Sequence, residues 1–163
     1  MNENYAHRDL KHMDFRHTDL TDASLYGADL RGARIDETTN LHGADLRGTI
    51  GVPFIPMVCP SHGPFIGWKV AKDEDGVKRI VKLLIPADAR RVSGTTRHCR
   101  CDKAFVISIE NDLEVAYSIN DPWFKYRVGQ YVYPDSFTED RFDNYGHGIY
   151  FFVDRAEAEN YRR

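Results

Sequence analysis

The sequence lacks most of the features that announce a chemistry. Only 3 of its 163 residues are cysteine, Cys59, Cys99 and Cys101. That odd count allows no regular framework of bridges and suits a reducing compartment. No apolar run approaches the roughly 18 residues of a membrane span, and the start, MNENYAHRDL, has no signal-peptide core. A cytoplasmic protein without a membrane partner is expected. Charge of one sign is also missing: 22 Lys and Arg face 25 Asp and Glu, a net of −3. Nothing pulls the whole chain toward nucleic acid, so direct DNA binding is not expected and anion binding would need a local patch. A Walker loop, a dinucleotide fingerprint and a Ser-His-Asp spacing are all absent, which leaves NTPase, dehydrogenase and hydrolase readings unsupported. At 42% hydrophobic and 12% aromatic, the chain has enough apolar material for a packed core.

What it does have is a period. From Leu10 an apolar residue recurs at Phe15, Leu20, Leu25, Leu30, Ile35, Leu41 and Leu46, in steps of five with one step of six. Five residues turn an α-helix by about 500°, which scatters these side chains around its axis. Along a strand, five steps put successive ones on opposite faces. The chain must therefore turn a corner every five residues. Two places before each apolar residue stand Arg8, Met13, Thr18, Ala23, Ala28, Ala33, Thr39 and Ala44. The residue between is mostly Asp or Asn, and Gly27, Gly32, Gly43 and Gly48 follow at the corners.

These repeats, ADLRG at 28–32 and again at 44–48 with SLYGA and NLHGA as variants, resemble the pentapeptide-repeat family. The resemblance implies a right-handed quadrilateral β-helix, four pentapeptides to a coil, with the Leu and the small residue inward. Coils stacked at about 4.8 Å would set Leu10 over Leu30, Phe15 over Ile35, Leu20 over Leu41 and Leu25 over Leu46, about two coils in all. The extra residue in IDETTN reads as a corner bulge, and Arg8 and Met13 mark an irregular terminal coil. Two coils bury little. The rest of the chain is expected to cover the C-terminal end, and the N-terminal end is either capped by residues 1–7 or a homo-oligomer contact.

The pattern stops at Thr49, and prolines 53, 56, 60 and 64 mark a linker. The division is 1–52 for the repeats and 53–163 for a small α+β domain, the whole being mainly β. Strands are expected at 65–71, 79–85, 104–110 and 115–119 as a meander, with a strand pair over FKYRVGQYVYP at 124–134. A buried strand over HGIYFFV at 147–153 follows, then a terminal helix at 154–163 with Asp154 and Glu157 in a capping-box arrangement. FIGWK at 65–69, IVKLLIPADARR at 80–91, RHCRCDKA at 97–104, YRVG at 126–129 and GIYFFVDRAEAENY at 148–161 resemble the uncharacterised domain found after pentapeptide repeats in phage and prophage proteins. That resemblance implies a phage origin and supplies no catalytic residues.

The densest charge lies in PADARRVSGTTRHCRCDKA. There Arg90, Arg91, Arg97, Arg100 and Lys103 surround Ser93, Gly94, Thr95 and Thr96. Guanidinium forks beside hydroxyl and N–H donors can wrap a phosphate, so these residues form the candidate anion or nucleotide site. The alternative is a solvated loop paired with Asp135, Glu139, Asp140 and Asp143. Cys59 and His62, with Cys99 and Cys101, are zinc-type ligands at an off-pattern spacing; no cofactor is expected, and zinc is a secondary reading. His62, with Tyr150 in NYGHGIYFFV, also resembles ADP-ribosyltransferases of the poly-ADP-ribose polymerase type, which implies that these two would bind the nicotinamide end of NAD. His147 is a further candidate beside its turn. The favoured function is a non-enzymatic phage protein that binds a host protein or a phosphate-bearing small molecule, sequestering a ligand or blocking a defence. The alternatives are the NAD-using transferase and a DNA-mimic inhibitor of a topoisomerase or nuclease. For the last, residues 1–52 carry nine acidic and six basic side chains over a rise of only about 10 Å.

Overall fold

A computed structural model describes residues 3–52 and 55–161. By its named elements the protein is mainly β, with one short C-terminal helix. The chain forms two compact units: Met1–Met57 with Ser93–Thr96 and Glu139–Gly146, and Val58–Val92 with Arg97–Thr138 and His147–Arg163. Two short segments of the later sequence thus belong with the repeats.

In the repeat unit, parallel bridges join Asn4 to Ser24, Asp9 to Asp29 and Asp14 to Arg34, then Asp19 to Asn40, Ser24 to Asp45 and Asp29 to Ile50. The chain comes back alongside itself once every four pentapeptides, and the offset grows by one residue after Arg34. The period of five has a local cause. At the corners the backbone enters the left-handed region, at His7, His12, His17 and Asp22 and then at Gly27, Gly32, Gly43 and Gly48. Asp or Asn before the inward residue accepts a hydrogen bond from the N–H two places on, as Asp9 does from Lys11, Asp14 from Arg16, Asp29 from Arg31 and Asp45 from Arg47. These are Asx turns; Ser24 and Arg34 stand where two of the corners have no Asx, and the corner N–H groups of His7, His12, Asp22 and Gly27 donate to the carbonyls of Tyr26, Arg31, His42 and Arg47 one turn on. Leu10, Phe15, Leu20, Leu25, Leu30 and Leu46 are buried inside, with Ala23, Ala28, Ala33 and Ala44 between them.

At two of these glycines the turn below crowds the position a side chain would take. A Cβ on Gly27 would meet the His7 imidazole, and one on Gly32 the His12 imidazole. The inserted residue is absorbed by two threonines: Thr38 Oγ1 accepts from His17 N at 2.9 Å and Thr39 Oγ1 donates to Phe15 O at 2.8 Å. Arg8 and Met13 stay exposed. Residues 3–7 do not form a separate cap. Tyr5 N donates to Ser24 O and Ser24 N to Glu3 O, so they make the first side of the first turn; Met1 and Asn2 lie outside the described residues. Near the other end of the repeats, Gly43 N donates to Thr95 O, Thr95 Oγ1 donates to Ala44 O, and Phe142 packs against the core.

The named elements are β1 (Phe65–Lys72), β2 (Lys78–Ile85), β3 (Arg91–Ser93), β4 (Cys99–Cys101), β5 (Ala104–Ile109), β6 (Val115–Tyr117), β7 (Lys125–Arg127), β8 (Tyr131–Val132), β9 (Ile149–Phe151) and α1 (Arg155–Tyr161), all in the second unit but for Ser93, the last residue of β3. Two open antiparallel sheets result, in the orders β7-β6-β1-β2-β5-β8 and β3-β4-β9. Where β9 ends, Trp68 and Phe152 exchange backbone hydrogen bonds of 2.7 and 2.8 Å. Trp68, Val70, Ile80, Phe152 and Ala158 then form one core cluster, on the face that receives α1.

Several expectations are corrected here. FKYRVGQYVYP is not a strand pair: β7 pairs with β6 and β8 with β5. A flat six-stranded sheet would hold its edges about 24 Å apart, whereas Arg127 to Tyr131 can span at most about 14 Å, so the sheet curls strongly. The arginine segment, read as a loop, contains β3 and β4. The helix begins at Arg155, with Asp154 Oδ1 accepting from Ala156 N at 2.9 Å, but Glu157 turns to Arg97 instead of back to the cap. Of the linker, Pro53 lies outside the described residues, as do Arg162 and Arg163 of the expected helix.

Candidate functional site

The cations of the arginine segment go to different partners. Arg91 is 7% exposed, and its guanidinium donates to the carbonyls of Ala89, Gly63, Pro86 and Ala87 at 3.0, 2.5, 2.7 and 3.2 Å. It ties strand β3 to the chain before β1 and after β2. Arg100, also buried, donates through Nε and Nη2 to Thr138 O. Arg90 forks onto Asp102 through its backbone N–H and Nε. Arg97 forks onto Glu157 of α1 at 2.6 and 3.0 Å, and that carboxylate raises its pKa. Lys103 pairs with Asp88, which raises the lysine pKa and lowers that of the aspartate.

Ser93 and Thr95 between them are engaged as well. Ser93 is buried and its carbonyl accepts from Arg141 Nε. Thr95 holds Ala44 O and accepts from Asn144 Nδ2. Ser93, Thr95 and Thr96 fall in the repeat unit, and the five cations in the other. A phosphate arriving at Arg90, Arg97 or Lys103 would have to displace a carboxylate already in place.

The other candidates are placed as follows. His62 is exposed and its Nδ1 lies 2.9 Å from Ser61 Oγ. His147 is exposed, with its N–H on Thr138 Oγ1. Tyr150, in β9, sets its ring edge-on to His98, whose ring also meets Phe152 and Tyr161. Cys59 and Cys99 are both buried and touch; the hydrogen bond from Cys59 and then burial push the Cys99 thiol up. Cys101 is buried too, which pushes its thiol up to about 12. Among the described residues, no three His, Cys, Asp or Glu side chains gather in a metal-binding arrangement.

Two features escaped sequence reading. Lys69 shares a face of β1 with Gly67 and Ala71, and its ammonium turns into the fold to donate to Tyr150 O at 2.9 Å, 5.7 Å from the Tyr126 ring centre. Burial lowers its pKa to about 8. The alternation in GWKVA puts it on the face opposite Trp68 and Val70, where a lysine is expected to turn outward, so nothing in the sequence signals its burial. The second is Trp123, 87% exposed on the turn between β6 and β7. Asp121 builds that turn: its Oδ1 accepts from Trp123 N at 2.9 Å and its carbonyl from Phe124 N at 3.1 Å. Asp-Pro at its start is a turn signal of known mechanism.

Comparison with known families gives two matches. Residues 55–158 match a family of unknown function, DUF5758. The chain belongs to that family. Ahead of the DUF5758 segment, pentapeptide repeats match over residues 6–38 and 14–50, in 8 copies. No curated protein and no solved structure matches. Trp123, Lys69 and every residue of the arginine segment lie inside the DUF5758 segment. No helix among the described residues is long and apolar enough to cross a membrane.

Proposed function

We propose that the protein is a non-enzymatic binding protein of phage type that acts in the host cytoplasm by docking onto a host protein. The observation that carries this reading is Trp123. An indole left 87% exposed contributes nothing to the core, yet its backbone is held by three hydrogen bonds, from Trp123 N and Phe124 N to Asp121 and from Ser118 N to Phe124 O. Tryptophan on a preorganised turn is the kind of anchor that dominates protein interfaces, because little entropy is left to lose on binding. Exposed Lys125 and Arg127 follow it on β7, which suits a partner with an apolar pocket rimmed by acidic groups.

The arginine segment supports this over sequestration of a phosphate-bearing ligand, since Arg91 and Arg100 are spent on backbone carbonyls and Arg90, Arg97 and Lys103 face carboxylates. The repeats, read as a right-handed four-sided coil, serve as a rigid stalk or an oligomer contact. As a DNA mimic they are poor, because Asp14, Asp29 and Asp45 are already neutralised by Arg16, Arg31 and Arg47.

The test is capture from host lysate by wild-type protein and by Trp123→Ala, with melting temperature measured on both. A partner lost on substitution at unchanged melting supports docking. Ligand-dependent stabilisation by nucleotides, lost in Arg97→Ala, would favour sequestration, and steady NAD turnover would favour the transferase.

A further inference from the structure

A cleft of about 420 Å³ opens on the sheet face that carries Trp68. Its volume is that of a small-molecule site. Trp68, Lys82, Ser108, Glu110, Asp112 and Arg155 line it. Two cations lean on one indole: Lys82 Nζ stands 5.6 Å and Arg155 Cζ 5.4 Å from the Trp68 ring centre.

The lining charges come as two of each sign, and they are not equivalent. Arg155 and Glu110 face each other at 3.7 Å, and Glu110 is fixed further by accepting Ile80 N at 3.0 Å. Lys82 and Asp112 make no ion pair with any described residue. Lys82 is a half-buried strand residue directly opposite Ser108, so an ammonium and a hydroxyl stand side by side as donors. Asp112 lies on the Glu110–Asp112 turn, where Asn111 and Asp112 adopt left-handed backbone with φ of 61° and 54°.

We propose that this cleft binds a small zwitterion of the α-amino acid class, its carboxylate on Lys82 and Ser108 and its ammonium on Asp112. A net-neutral lining gives no attraction to a multiply charged phosphate ester, and it matches a ligand whose two charges are separated but sum to zero. Trp68 and the Lys82 stem supply the apolar wall for a side chain. The site is independent of the docking surface at Trp123.

The experiment is an NMR titration of the full chain with glycine, alanine, leucine and phenylalanine, following the indole N–H signals of Trp68 and Trp123. The account expects at least one amino acid to shift the Trp68 signal saturably while Trp123 stays still. For leucine as probe, isocaproate, which lacks the amine, and isoamylamine, which lacks the carboxylate, should each bind at least about tenfold more weakly. Lys82→Met and Asp112→Asn should each cost a similar factor; asparagine tolerates the left-handed backbone, so the second variant keeps the fold. The proposal is overturned if none of the four moves Trp68, if isocaproate or inorganic phosphate binds as tightly as the amino acid, or if both variants bind unchanged.

Discussion

The two units solve the same problem, holding short extended segments together, by opposite means. In the repeats most corners carry their own Asx acceptor, a left-handed position and one inward apolar side chain, and their remaining bonds go to the adjacent turn. In the second unit the fold depends on single long-range clamps. Arg91 joins residues 63, 86, 87 and 89, and Glu157 reaches across 60 positions to Arg97. A local code spreads stability over many small equal contributions, whereas clamps concentrate it in a few residues.

That contrast sets the order of expected effects. Arg91→Ala strips four carbonyls of their donor at a buried site and should cost about 3–5 kcal/mol in denaturant unfolding; a loss below about 1 kcal/mol would dissolve the distinction. Lys69 comes next. Its pKa falls from 10.5 to about 8 on folding, so between those values the unfolded chain binds more protons and wild-type stability rises with pH. Relative to Lys69→Met, wild type should therefore gain at most about 3 kcal/mol between pH 8 and 10.5. A flat difference would show that the ammonium is solvated.

Glycine substitutions sharpen the comparison at smaller scale. Gly32→Ala pays both for left-handed backbone and for collision with His12, and should cost about 2 kcal/mol, part of it restored by adding His12→Ala. Gly129→Ala has the same backbone sign but open space around it, and should cost only about 1 kcal/mol. The smallest effect is electrostatic. Hydrogen bonding from Arg31 holds the Asp29 pKa at about 2. The contribution of this carboxylate is present above the ordinary carboxylate range and lost as pH falls toward 2. Acid titration of Asp29→Asn against wild type should show the two converging there, with no difference in slope above pH 5.

What could be read from the sequence follows the same divide. The corners, the inward Leu and Ala and the irregular Arg8 and Met13 were legible from the period of five; the insertion showed as a break in that period, but its bonds from Thr38 and Thr39 to His17 and Phe15, more than 20 positions away, did not. The strands expected at 65–71, 79–85 and 104–110 from their Ile, Val and Phe content lie at 65–72, 78–85 and 104–109. The destinations of Arg91, Arg97 and Lys69 were not, since a salt bridge or a clamp across 60 positions leaves no period. β3 and β4 were hidden because three-residue strands carry no alternation, and Gly and Thr between them read as loop. Trp123 was one aromatic among many in the sequence, and its exposure depends on what packs nearby.

The central claim is that Trp123 exists for a partner. Its most direct measurement is the affinity of the purified captured partner for wild type and for Trp123→Ala, at matched melting temperature. The account predicts a loss of at least about 30-fold, the effect of removing an interface anchor worth about 2 kcal/mol. Equal affinity of the two proteins would contradict it.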